Sequence, residues 1–113
     1  MKVAITSTGS TFESTVDRHF GHCSCFVIYN TQNKAIEFIP NPHKSVKEGA
    51  GMAAVKLLAE KGIRKIISGD FGIRIKPMLD SLKIQMIILQ DPDILIQAVI
   101  DRLEQTYSTT KEE

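Results

Sequence analysis

The 113-residue sequence predicts an α/β domain, a mixed sheet carrying helices on its faces. Two observations carry this expectation. The chain opens with three short apolar, β-branched runs, and the second and third are spaced as a hairpin. From Ala50 onward apolar residues recur at helical spacing in three segments, with strand-like runs between them, so the order is β-β-β-α-β-α-β-α. A hairpin followed by βαβ units places antiparallel and parallel pairs in one sheet.

Lys2-Val3-Ala4-Ile5-Thr6 is short and β-branched and runs into Ser7-Thr8-Gly9-Ser10, a turn composition, which marks a buried first strand. After a polar stretch to Arg18, Cys25-Phe26-Val27-Ile28-Tyr29-Asn30 and Ala35-Ile36-Glu37-Phe38-Ile39-Pro40 form strand-like runs, joined by Thr31-Gln32-Asn33-Lys34. Pro40 and Pro42 break the pattern, leaving 41–49 as a loop that carries His43. The first helix begins at Ala50 with Met52, Val55, Leu58 and Ala59 on one face, and stops at Gly62, a natural residue just past a helix end.

Lys65-Ile66-Ile67-Ser68 reads as a strand ending in Gly69-Asp70-Phe71-Gly72. A helix follows near Pro77, which is tolerated in the first turn, with Met78, Leu79 and Leu82 as its apolar face. Gln85-Met86-Ile87-Ile88-Leu89 reads as another buried strand. Asp91-Pro92 then reads as the cap and first residue of the last helix, with Leu95, Ala98, Val99 and Leu103 inward. The domain is expected over residues 1–104 and a polar, disordered tail over 105–113. No internal repeat or linker is visible.

Composition narrows the function. Lys and Arg number 14 against 13 Asp and Glu, for a net charge of +1, without a basic stripe, so no nucleic-acid partner is expected. The apolar runs fall far short of the roughly 20 residues that span a bilayer, so no membrane association is expected. The N-terminus turns polar at Thr6, too early for a signal peptide, which predicts a cytoplasmic protein. In a reducing compartment two cysteines serve as ligands or free thiols, and a bridge across one intervening residue would be strained.

All three histidines and both cysteines lie between positions 19 and 43, most densely in His19-Phe20-Gly21-His22-Cys23-Ser24-Cys25. Imidazole and thiolate are the side chains that hold iron, copper and zinc. If this segment enters a strand, alternation puts Cys23 and Cys25 on one side, where His19 and His22 can turn toward them. In the plainer reading Cys25 is core, Cys23 a surface thiol and His19 a hydrogen-bonding loop residue; residues alone leave both open. Gly49-Ala50-Gly51 opens a helix, where unpaired N–H groups favour anions, and Gly69-Asp70-Phe71-Gly72 ends a strand. Both glycine pairs also suit ordinary tight turns. Arg74 and Lys76 are placed to meet an anion at the second loop. No nucleotide fingerprint and no nucleophile elbow is present, and a Cys–His pair such as Cys23 with His43 stays open as catalytic machinery. The loops after the first and third strands and 69–72 can all open on the carboxyl edge of the sheet, where ligands of such folds bind.

Several of these segments together resemble the dinitrogenase iron-molybdenum cofactor biosynthesis family, the NifX-type domain. They are Lys2-Val3-Ala4-Ile5, Val16-Asp17-Arg18-His19-Phe20-Gly21-His22 leading into Phe26-Val27-Ile28-Tyr29, the Asn41-Pro42 turn, Gly49-Ala50-Gly51 and Gly69-Asp70-Phe71-Gly72. The resemblance covers roughly residues 1–104. It implies a ribonuclease H-like three-layer fold with a mixed sheet of about five strands, one antiparallel, and helices on both faces. It also implies binding and carrying of iron–sulfur or iron–molybdenum clusters rather than catalysis. Of the candidate ligands only His19 falls on the family's recurrent His-Phe-Gly position; His22, Cys23, Cys25 and His43 are added from their chemistry.

The expectation is therefore a metallocluster carrier or chaperone, handling an iron–sulfur or iron–molybdenum cluster or its precursor. His19, His22, Cys23, Cys25 and His43 are the candidate metal ligands, and Gly49, Gly51, Gly69 and Gly72 supply backbone N–H groups. Its partners would be metallocluster donor and acceptor proteins, and its state a monomer or weak homodimer. Two cysteines cannot complete a four-thiolate site, which predicts a shared or His-completed one. The alternatives are a small enzyme acting on an anionic substrate through a Cys–His pair, and a ligand-free regulatory or interaction domain.

Overall fold

A computed structural model of the chain describes residues 1–111, with side chains to residue 107. Its elements are β1 (Lys2–Ser7), β2 (Cys25–Asn30), β3 (Ile36–Pro40), α1 (Ala50–Glu60), β4 (Ile63–Ser68), α2 (Ile75–Ser81), β5 (Gln85–Ile88) and α3 (Ile96–Lys111). They form one five-stranded sheet in the order β3-β2-β1-β4-β5. β2 pairs antiparallel with β1 and β3, while β1–β4 and β4–β5 are parallel, so β2 alone runs against the other four.

Strand alternation sorts the apolar residues into two cores. Ala4, Phe26, Ile28 and Ile66 face α1 and α2, meeting Ala54, Val55, Leu58, Ile75 and Leu79. Val3, Ile5, Val27, Tyr29 and Ile67 face α3, meeting Ile96, Val99, Ile100 and Leu103. Helices on both faces of a mixed sheet make the three-layer α/β fold that the sequence led us to expect. The β2–β3 turn is closed by Asn30, whose Oδ1 accepts from the amides of Gln32 and Asn33 and whose carbonyl accepts from Lys34 N. Past the end of α1, Gly62 takes φ 79°, the left-handed conformation its residue type suits.

Four details differ from the sequence reading. In α1 the buried stripe is Ala50, Ala54, Val55 and Leu58, which leaves Met52 on the opposite side and 54% exposed. Leu82 and Leu95 are likewise exposed rather than core. β5 is an edge strand with no neighbour on its outer side, and its residues are exposed or half-buried rather than buried. Asp91-Pro92 does not start α3: the Asp91 carboxylate accepts from Asp93 N in a local turn, and the helix begins at Ile96. Its first amides are satisfied from afar, Ile96 N donating to Ser14 O at 2.8 Å and Gln97 N to Phe12 O at 3.0 Å.

At its other end α3 runs to Lys111, overlapping the segment expected to form a polar tail; residues 112–113 lie outside the described residues. Tyr107 packs against the second core, and its hydroxyl accepts from Lys65 Nζ at 2.7 Å. Among the described residues no helix is long and apolar enough to cross a membrane.

Candidate functional site

The site is assembled on the carboxyl edge of β1 and β4 by the segment that follows β1. The Asp17 carbonyl accepts from Thr6 Oγ1 (2.8 Å), Gly69 N (3.1 Å) and Ser68 Oγ (3.4 Å), while Asp17 N donates to Thr6 O (3.0 Å). The next residues are thereby fixed across both strand ends, and the Asp17 carboxylate turns the chain by accepting from His19 N at 2.9 Å.

Three glycines then let neighbouring segments meet, two of them backbone to backbone and the third backbone to side chain. A Cβ on Gly69 would lie 2.7 Å from Arg18 Cα, one on Gly21 would lie 2.6 Å from Gly51 N, and one on Gly51 would lie 2.8 Å from Ile75 Cδ1. These contacts draw the 18–22 loop, the start of α1 and the 70–75 loop around a cleft of about 450 Å³. Its walls carry Arg18, His19, His22, Gly49, Gly51, Met52, Asp70, Gly72, Ile73 and Arg74, with Phe20 and Phe71 beneath. The two rings stack at a tilt, 5.3 Å between centroids, and form its apolar floor.

The candidate residues therefore separate. His19, His22, Gly49, Gly51 and Gly72 line this one cleft. Gly69 lines a neighbouring hollow of about 350 Å³ with Leu89, Gln90 and Asp91, and Arg18 and Asp70 stand between the two. His43 is half-buried in the 41–46 loop and does not line the cleft. His22 is already oriented: its Nδ1 lies 3.0 Å from the Lys44 carbonyl, a contact in which Nδ1–H donates and the Nε2 lone pair is left for a ligand. The first amides of α1, which as in any helix lack an intrahelical acceptor, are not met by a side-chain cap either.

The cysteines do not share a side. β2 starts only at Cys25, so strand alternation does not reach back to Cys23. Cys23 is buried in the α1/α2 core and its thiol donates to Phe20 O at 3.5 Å. Cys25 is on the other face, beside a hollow that it lines with Thr8, Ser10, Ser24 and Phe38. Burial, and then the Asp17 carboxylate, push the Cys23 thiol up to about 12; burial also pushes Cys25 up. Neither is a thiolate near neutral pH. Both should resist a thiol reagent such as DTNB in native protein and react after unfolding in urea; rapid native labelling would contradict the packing described.

Asn41 holds the two loops together. Its Nδ2 donates to Gly21 O (3.0 Å) and Cys23 O (2.9 Å), its Oδ1 accepts from His43 N (2.9 Å), and its own N donates to Ser24 O (3.1 Å). Asn41→Ala would strip the donor from two carbonyls, at a cost of about 2–3 kcal/mol. Urea unfolding measures this, and a loss below about 0.5 kcal/mol would show the clamp to be slack.

Sequence reasoning missed Arg18, Met52 and Ile73 as cleft residues. For Met52 the signal was there: the small residues Ala50 and Ala54, four apart, set a helical phase that turns it outward. Ile73 sits between Gly72 and Arg74 with no strand or helix period to bury it. For Arg18 nothing local distinguishes a wall residue from a solvated one.

The fold and the cleft define a small three-layer α/β domain of the class that gathers its ligand-facing loops at the carboxyl edge of a parallel strand pair. The chain belongs to the dinitrogenase iron-molybdenum cofactor family, whose profile matches residues 1–106. That membership relates it to the iron–molybdenum cofactor. Among solved structures it is similar to the apo orange protein of Desulfovibrio gigas, at 24% identity and a TM-score of 0.80, covering 94% of this chain and 88% of that one. It is also similar to a candidate NifB protein from Thermotoga, at 24% identity and a TM-score of 0.76, with 94% and 89% covered. A candidate dinitrogenase from Methanocaldococcus jannaschii follows at 17% identity and a TM-score of 0.65, with 96% and 89% covered. At these identities the likenesses speak for the fold. No curated protein sequence matches the chain.

Proposed function

We propose that the protein binds an iron–sulfur or iron–molybdenum cluster, or a precursor of one, in the 450 Å³ cleft and carries it between donor and acceptor proteins. The observation that supports this reading is the meeting of two imidazoles, a helix N-terminus and two guanidinium groups on one open cleft. His19 and His22 offer ring nitrogens to iron or another borderline metal. The amides opening α1 and the side chains of Arg18 and Arg74 face the sulfides and net negative charge of such a cluster. His19 and His22 are exposed, which suits a carrier that must release its cargo. The thiols of Cys23 and Cys25, buried and protonated, have no part in this state of the site. A nucleophilic Cys23 would need its thiol pushed down rather than up, so the catalytic alternative lacks support.

The test is anaerobic incubation with iron and sulfide, with and without molybdate, followed by desalting, metal and sulfide analysis and an absorption spectrum. Stoichiometric retention is expected, reduced at least ~10-fold by His19→Ala/His22→Ala and kept by Cys23→Ser/Cys25→Ser. No retained metal in the natural protein would refute the carrier reading. Loss in the cysteine variant alone would move the ligands to the thiols.

A further inference from the structure

The cleft has an incomplete ligand set and an unusual rim. His19 and His22 are the imidazoles on its wall, and among the described residues no group of three or more His, Cys, Asp or Glu side chains is placed to hold a metal ion. An iron–sulfur cluster ordinarily takes four protein ligands. On the lips, Ile73 is 92% exposed, the most exposed large apolar side chain among the described residues, and Met52 is 54% exposed. Isolated exposed apolar residues are ordinary; here two of them stand on the lining of one cleft with an apolar floor, where a second surface could cover them. Arg18 and Arg74 stand on the same mouth. Among the described residues the one ion pair is Lys76–Asp80, so neither arginine has a carboxylate partner.

We propose that two copies of this chain close mouth to mouth over one cluster, each contributing His19 and His22, so that the loaded protein is a dimer and the empty protein a monomer. The proposal rests on the carrier reading above. A two-fold axis through the cleft turns two imidazoles into four, the number of protein ligands such a cluster ordinarily takes. The same axis brings Ile73 and Met52 of each copy against the other's lips, burying what is exposed in the single chain. It also sets Arg18 and Arg74 against their own copies. With Asp70 offsetting one of the two arginines, each empty mouth keeps a net positive charge and the two repel, and an anionic cluster between them reverses the sign of that term. Two apolar residues per chain are too small a contact to hold copies together unaided, which again makes pairing conditional on cargo. An unrelated partner with an acidic mouth would satisfy the arginines, yet it would not by symmetry supply the two missing imidazoles.

The experiment is anaerobic sedimentation velocity on the full chain before and after loading with iron and sulfide, with metal counted in the same fractions. The empty protein should sediment at its chain mass of 12.6 kDa and the loaded protein at twice that, with one cluster per two chains. Ile73→Ser should weaken the loaded dimer at least ~10-fold, since two isoleucines leave the contact. Leu82→Ser, at the opposite end of α2, should leave the dimer unchanged. Full uptake by a monomer would overturn the dimer and leave the carrier reading standing. A dimer already present without metal would overturn its dependence on cargo. Absence of uptake would overturn both readings together.

Discussion

Replacing Gly21 by alanine is expected to destabilise the protein by about 2–3 kcal/mol and to lower its Tm by roughly 10 °C. The added Cβ would sit 2.6 Å from Gly51 N and 2.9 Å from Ala50 C. Both are backbone atoms at the first turn of α1, unable to swing aside as a side chain does, so the loop and the helix must part. Gly51→Ala is the milder control: its Cβ meets the Cδ1 tip of Ile75 at 2.8 Å, which can turn away. The Gly21 change also shifts His22 relative to the helix start, so metal retention should fall with stability. Thermal denaturation followed by circular dichroism decides the matter, and a Tm within about 2 °C of the natural protein's would mean that the contact is not as tight as described.

The second large effect appears in alkali. The Cys23 thiol stays protonated in the fold up to about 12, against 9.0 for an ordinary cysteine. Above pH 9 the unfolded chain therefore loses a proton that the native state keeps, and stability falls as pH rises. The contribution is complete below pH 9 and disappears by about pH 12, amounting to at most about 4 kcal/mol. Burial, and secondarily Glu104, push Tyr29 the same way, and burial does so for Cys25, so the whole protein should be alkali-sensitive. Urea titrations at stepped pH separate the Cys23 share: Cys23→Ser, whose hydroxyl does not titrate in this range, should show a visibly flatter decline. An unchanged slope would remove Cys23 from the explanation.

Much of the fold could be read from local chemistry. The β-branched and aromatic run at Cys25–Asn30 gave a strand with the boundaries observed, and Gly62 ended α1 as its freedom at positive φ suggests. What could not be read was set by distant partners. Asp91 looks like a helix cap because its carboxylate does accept a nearby amide, but α3 takes its real caps from the carbonyls of Phe12 and Ser14, far earlier in the chain. Part of the lining of the candidate cleft was legible in the same way. Histidine and glycine chemistry picked out His19, His22, Gly49, Gly51 and Gly72, which the topology brings to one cleft. Cys23 lies two residues before β2 begins, so strand alternation does not relate it to Cys25, and His43 sits in the 41–46 loop without lining the cleft.

The connection between β1 and β2 has a mechanical consequence. Carbonyls at Phe12 and Ser14 hold the start of α3, Val16 N donates to Ile94 O, and the next residue, Asp17, pins Arg18 and His19 over the strand ends. One short span of chain is thus bolted at one end to the helix under the sheet and at the other to the cleft wall above its edge. A displacement of α3 has a direct backbone route to the imidazole of His19. Substitutions that displace α3 should therefore be felt as a change in metal retention, at a distance from anything the metal touches.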